Sequence, residues 1–269
     1  MSDEVKKQLV KWYTEDNLSA LQISKLVEFK EDSVLKLLRE HGVEIKTSHS
    51  LRKLPKFNEE AFLDITEPQA AYYYGWLLTD GWTVYNQDVI AISLEVKDEA
   101  IVRGLCDYIG YSQDRVFYRE RVNPRRPDEK LYTANLKVAN KILLDRLKIH
   151  GFAPNKSLKE VVPDVLLHNK YFWRGAFEGD GHISKPGGQL KMFICGGINI
   201  CEKLVEYAKS IYPDHSMNIH ISKQPLYYAN SRRRELIKTV LDELYSGDIS
   251  FRLERKYKLY LENFYGVHT

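Results

Sequence analysis

Two segments of this chain end alike. "YYYGWLLTDG" (72–81) and "YFWRGAFEGDG" (171–181) are both hydrophobic, helix-patterned stretches that finish in Asp-Gly. Gly75 and Thr79 stand four residues apart in the first, Gly175 and Gly179 in the second. Small residues at that spacing leave a flat strip on one helix face and let two backbones approach closely. A glycine inside a helix costs about 1 kcal/mol relative to alanine, so its recurrence predicts two helices packed against each other, with Gly75 and Gly175 at the interface. The bulky neighbours Trp76, Leu77, Leu78 and Phe177 then fill the core of each half.

Helices packed in this way bring Asp80 and Asp180 together at their C-terminal ends. That is electrostatically poor twice over: each carboxylate sits at the negative pole of a helix, and the two repel one another. A divalent cation reverses both effects, because Mg²⁺ takes hard carboxylate oxygens and keeps sites for water and phosphate. The backbone carbonyls of Thr79 and Gly179 are further candidate ligands. The bare acids therefore read as two halves of a metal site.

From residue 67 onward the chain runs one programme twice. A helix ending at Asp80 precedes strand-like "WTVYN" and "VIAISLEV", helical "DEAIVRGLCDYIG", strand-like "RVFYRERV" and "KLYTANLKV", and helical "NKILLDRLKIHG". The second half offers "HISK" and "LKMFICGG", the helix "ICEKLVEYAKSIY", the strands "MNIHISK" and "LYYANS", and the helix "RRRELIKTVLDELYSG". Each half reads αββαββα. The acids stand 100 residues apart, and Lys156 and Lys256 each follow their acid by 76. The expected fold is α+β: two pseudo-symmetric repeats, 67–165 and 166–269, after a basic linker (47–66) and a small all-α module (1–46).

In that module, apolar positions recur at helical spacing over 3–16. Ser19 is placed to cap "ALQISKLV", and "EDSVLKLLREHG" is a third helix stopped at Gly42. Residues 19–43 resemble the helix-turn-helix of small DNA-binding modules, and Lys30, Lys36 and Arg39 are the residues that would face DNA. Net charge is only +3, so distribution matters more than total. Basic residues bunch in 118–126, 230–238 and 251–258, the first and last with aromatics among them, which suits a polyanionic partner. No apolar run approaches a membrane span. Three cysteines without a CxxC pair suit a reduced, cytoplasmic setting and argue against a zinc site.

"YYGWLLTDG" (73–81) and "WRGAFEGDG" (173–181) resemble the paired signature helices of LAGLIDADG homing endonucleases, over residues 67–269. The chain departs from the motif in Thr79, which replaces a smaller residue, and in Tyr73, Tyr74 and Trp173, which replace aliphatics. The resemblance implies a monomer whose two four-stranded antiparallel sheets form a saddle over double-stranded DNA. It implies that Asp80 and Asp180 hold Mg²⁺ (Mn²⁺ or Ca²⁺ able to substitute in binding) while each strand is hydrolysed once, leaving a staggered break. It makes Lys156 and Lys256 groups that polarise water or stabilise the pentavalent phosphate. Asp98 and Asn199 become the candidates for ordering water. Arginines on the strands and their flanks, Arg119, Arg121, Arg232 and Arg233, would contact guanine or phosphate. The alternatives are a non-catalytic transcription regulator of the same fold, or an intron maturase with RNA as partner. An intein is disfavoured, since residue 1 is no nucleophile and the chain closes in "GVHT".

Overall fold

The structure, a computed structural model, describes residues 3–16, 18–43, 45, 56–84, 87–123, 126–223 and 225–267. The chain divides into two compact units, one up to Pro55 and one from Lys56 on.

The smaller unit holds helices α1 (Asp3–Thr14), α2 (Ala20–Val27) and α3 (Glu31–Glu40). Leu9, Tyr13, Ile23, Val34 and Leu38 form its core. Ser19 caps α2 in a full capping box with Gln22. Glu28 then turns the chain with φ of 57°, and Gly42 ends α3 at φ +70°. Lys30, Lys36 and Arg39 are exposed at and along α3, with Lys36 4.0 Å from Glu40.

The larger unit repeats αββαββα. Its first half runs α4 (Pro68–Thr79), β1 (Gly81–Trp82), β2 (Val89–Glu95), α5 (Glu99–Tyr108), β3 (Val116–Asn123), β4 (Arg126–Ala139) and α6 (Lys141–Ile149). The second half runs α7 (Lys170–Asp180), β5 (Gly181–Ser184), β6 (Lys191–Gly196), α8 (Ile198–Ile211), β7 (Asn218–Lys223), β8 (Leu226–Ser231) and α9 (Arg234–Leu244). Each half builds an antiparallel four-stranded sheet, in the orders β1-β2-β4-β3 and β5-β6-β8-β7. Their registers match: Gly81 pairs with Ile92 as Gly181 pairs with Ile194. One face of each sheet is buried under the helices. On β6 the alternation is plain, with Met192 and Ile194 inside and Lys191, Phe193 and Cys195 on the other face.

Three expectations change. An additional helix, α10 (Glu254–Tyr265), follows the second repeat. The strand expected over "WTVYN" is only Gly81–Trp82, and residues 85–86 lie outside the described ones. The linker is shorter than 47–66: Ala61, Phe62 and Ile65 are buried members of the large core, so residues 56–66 belong to the larger unit. The part over 47–55 lies outside the described residues. Cys106, Cys195 and Cys201 form no disulfide, and among the described residues no helix is long and apolar enough to cross a membrane.

Candidate active site

Helices α4 and α7 pack with their glycine strips facing. A Cβ on Gly75 would stand 2.7 Å from Ala176 N and closer still to Phe172 O; one on Gly175 would stand 3.0 Å from Tyr72 C and closer still to Tyr72 O. The backbones are thus in direct contact, as the small-residue spacing requires. Gly179 continues the strip: a Cβ there would lie 2.7 Å from Asp80 Oδ2 and collide with the Thr79 hydroxyl. Thr79 Oγ1 sits 3.0 Å from Asp80 Oδ2, so the unexpected threonine occupies the room that the opposing glycine leaves and supports the acid.

Asp80 and Asp180 therefore lie side by side, each only partly open to solvent. Burial raises the Asp80 carboxyl above the usual carboxylate range. Burial, then the negative charges of Asp80 and Glu160, push Asp180 up to about 7. Among the described residues no cluster of three or more His, Cys, Asp or Glu is arranged to hold an ion. The donor set is two half-buried carboxylates that resist joint ionisation. It fits a hard divalent cation that completes its shell with water and phosphate oxygens, and it does not fit a structural zinc.

Both lysines reach the helix ends, but not as surface groups. Lys156 and Lys256 are 7% and 4% exposed. Lys156 Nζ donates to the carbonyls of Leu78 (2.7 Å) and Thr79 (3.1 Å). Lys256 Nζ donates to those of Phe177 (2.9 Å), Glu178 (2.6 Å), Gly181 (2.6 Å) and, more weakly, Gly179 (3.4 Å). The Thr79 and Gly179 carbonyls expected to face an ion are thus already engaged by ammonium groups. Each lysine caps its helix at the negative pole, where a cation is favourable. Burial lowers both ammonium pKa values, that of Lys256 to about 8.

The two candidates for ordering water are otherwise engaged. Asp98 takes Arg255 in a two-pronged ion pair, Nε and Nη2 each donating at 2.8 Å. Asn199 Oδ1 accepts from Val162 N at 2.9 Å. Asp98 is the N-cap residue of α5, and its counterpart at α8 is Gly197. Gly197 N donates to Glu160 Oε2 at 3.0 Å, while Glu160 Oε1 accepts from Leu158 N at 2.7 Å. The lysine-bearing segment of each half thus grips the strand-to-helix junction of the other half, with the acid on opposite partners. Asp80, Asp98, Ser93, Arg121 and Arg255 line one open cleft.

Arg255 and Glu160 went unpredicted, although both are near neighbours in sequence of the flagged lysines. Arg174 was missed too. It is fully buried and donates to the carbonyls of Leu244 (2.6 Å), Ser246 (3.1 Å), Asp248 (2.7 Å) and Phe251 (3.2 Å). On the same helix, Glu178 accepts from Tyr72 OH (2.6 Å) and Leu253 N (2.8 Å), and burial pushes its carboxyl up to about 7.

Of the three basic clusters, only the first stays on a strand surface: Arg119 and Arg121 are exposed on β3. Arg232 and Arg233 lie in the turn between β8 and α9, where Arg233 Nη1 stands 2.9 Å from His215 Nδ1. Just beyond them, Arg234 donates to Asn263 O (2.7 Å) and Lys238 binds Asp242 (2.6 Å). The third cluster is α10, whose Arg255 and Lys256 point into the site. The pairing of basic with aromatic residues in 251–258 reflects internal contacts, with Arg252 4.4 Å over Tyr257.

No family model and no curated protein matches the sequence. Solved structures do. An alanine mutant of I-SmaMI matches with a TM-score of 0.50 at 10% identity, over 72% of this chain and 88% of that one. I-SmaMI is described as a LAGLIDADG homing endonuclease bound to cleaved DNA. The homing endonuclease I-WcaI, bound to its DNA recognition sequence, gives 0.48 at 17% identity, over 71% and 85%. The N-terminal LAGLIDADG domain of DUF199/WhiA gives 0.44 at 14%, over 73% and 92%. At these identities the likeness is one of fold, and the fold is the LAGLIDADG architecture.

Proposed function

We propose that this chain is a site-specific DNA endonuclease that makes a Mg²⁺-dependent staggered break. In this reading it is a cytoplasmic monomer, with residues 1–46 as a helix-turn-helix DNA-binding module and the two repeats as the catalytic saddle. One observation carries the reading: two partly buried carboxylates, Asp80 and Asp180, stand at adjoining helix ends with their pKa values driven up. A fold has no structural use for such a pair, whereas a divalent cation bound by both acids removes the conflict.

The reaction class is phosphodiester hydrolysis, in which water adds to phosphorus as the bond to the 3′ oxygen breaks. When bound, a divalent cation supplies positive charge to the phosphate and the departing oxygen. The chain's own residues prepare that event. Lys156 and Lys256 fix the two helix ends, and their charges favour the ionised carboxylates that a cation needs. They are positioning residues, since their ammonium groups are spent on backbone carbonyls. The Asp98–Arg255 pair holds the start of α10, and so Lys256, against the first half.

The test is a supercoiled-DNA library of randomised targets incubated with wild type and Asp80→Asn, in Mg²⁺ and in EDTA. Mg²⁺-dependent cleavage by wild type, lost in Asp80→Asn while binding persists, is the expected result. Tight selective binding without cleavage under any metal moves the chain to a DNA-binding regulator.

A further inference from the structure

The open faces of the two sheets carry different chemistry at equivalent positions. Aligning the sheets on the pairs Gly81–Ile92 and Gly181–Ile194 places Lys137 where the second sheet has Asn230, and Phe117 where it has His220. The first face is cationic. Arg119, Arg121 and Lys137 are exposed on it, with Arg119 stacked over Phe117 at 5.0 Å and Lys137 over Trp82 at 5.6 Å.

The second face is aromatic and carries a single lysine on β6, Lys191, whose Nζ lies 5.3 Å over the Phe193 ring. His182, Phe193 and Tyr228 form a ladder across three strands, with ring centroids 5.3 and 5.5 Å apart. His220 lies directly opposite Tyr228, and exposed Asn218 closes the edge. Phe193 and Tyr228 are half-buried, and no arginine stands on this face because Arg232 and Arg233 fall beyond the end of β8.

Base edges in the major groove distinguish these two surfaces. A guanidinium pairs with the two acceptors of guanine, an aromatic or other apolar edge meets the thymine methyl, and an asparagine amide matches adenine. Resting on the DNA-binding reading above, we infer that the two half-sites are read by different chemistry: the second sheet takes an A·T-rich half-site through Phe193, Tyr228 and Asn218, and the first takes a guanine-bearing half-site through Arg119 and Arg121. The target is then compositionally lopsided.

The experiment is selection of binding sites from a randomised DNA duplex library by the full chain in Ca²⁺ without Mg²⁺, followed by sequencing. It needs no cleavage. The expected outcome is a site of two unlike halves, one with fixed thymines and adenines, the other with fixed guanines. Phe193→Ala should relax the A·T half alone, and Arg121→Ala the guanine half alone, each by roughly five- to hundredfold at the affected bases. Should Phe193→Ala fold poorly, exposed His220→Ala replaces it, with the relaxation again confined to the A·T half. Halves of the same composition, or variants that change both halves or the wrong one, overturn the inference while leaving DNA binding intact. A folded protein that enriches no sequence at all overturns the DNA-binding reading, and the inference with it.

Discussion

Gly175→Ala puts two opposing effects in direct competition. On helix propensity alone the change stabilises α7 by about 1 kcal/mol. The structure predicts the reverse sign. The new Cβ would stand 3.0 Å from Tyr72 C, 3.3 Å from Trp76 N and nearer still to Tyr72 O. All three are backbone atoms of a buried helix, so no side chain can swing aside. Relief requires α4 and α7 to separate by the better part of an ångström along their whole contact. Overpacking of this kind costs typically 1–3 kcal/mol and occasionally more; with the obstacle entirely backbone we take about 3–4. Net of propensity, the loss is about 2–3 kcal/mol, or a thermal midpoint lower by roughly 4–12 °C for a unit of this size. Gly75→Ala, facing Ala176 N at 2.7 Å and Phe172 O nearer still, should behave alike. The double variant should cost clearly less than the two singles together, because one separation relieves both clashes. Urea and thermal melts of the three variants measure this directly. Stabilisation by Gly175→Ala, or strict additivity in the double variant, would refute the picture of touching backbones.

The site's electrostatics give further expectations. The raised Asp180 and Glu178 stabilise the metal-free fold while protonated, so its stability should fall as pH rises from about 4.5 through 7, in EDTA. Mg²⁺ should restore the melting temperature at pH 7.5 and do little at pH 5, where protons hold the acids; an unchanged melt across that range would remove the buried-acid argument. Lys256→Met frees four carbonyls against two for Lys156→Met, so it should destabilise more, by several kcal/mol, and weaken Ca²⁺ binding measured by calorimetry. Arg174→Met strands one buried and three part-buried carbonyl contacts and should cost about 3 kcal/mol or more, visible by circular dichroism. Asp98→Asn, leaving the half-exposed Arg255 without its ion, should cost only about 1–2 kcal/mol in a denaturant titration but slow cleavage disproportionately.

The paired helices were legible because their signals are local: a four-residue spacing of small residues and a terminal acid. The Asp80–Asp180 encounter follows from that packing alone. The lysine interval was legible too, but its meaning was not. A sequence shows a cation after a helix without showing that unpaired carbonyls at the helix end will draw it inward. Arg174 escaped for a related reason, since arginine is rarely buried; for it, as for the half-exposed Arg255, only tertiary closure supplies the acceptors. In α10 the run "ERKYKLYLENFY" mixes charge and aromatic residues so evenly that it reads as a basic surface patch, although Lys256 and Tyr260 are buried. Asn199 was read for its amide, and the structure uses that amide to hold the chain at Val162.

The reciprocal grip of Arg255 on Asp98 and of Glu160 on Gly197 sets a rule for anyone building chimaeras from this scaffold. A half exchanged at the midpoint of the chain would carry away the arginine or the glutamate that its former companion depends on, and would bring a foreign residue to the junction it meets. Because the two grips have opposite polarity, they cannot be traded for one another. The heritable unit here is crossed: residues 158–162 travel with the second sheet, and Arg255 with the first. Recombination that respects that crossing should yield soluble hybrids whose halves dock, and recombination that ignores it should yield folded halves that fail to lock.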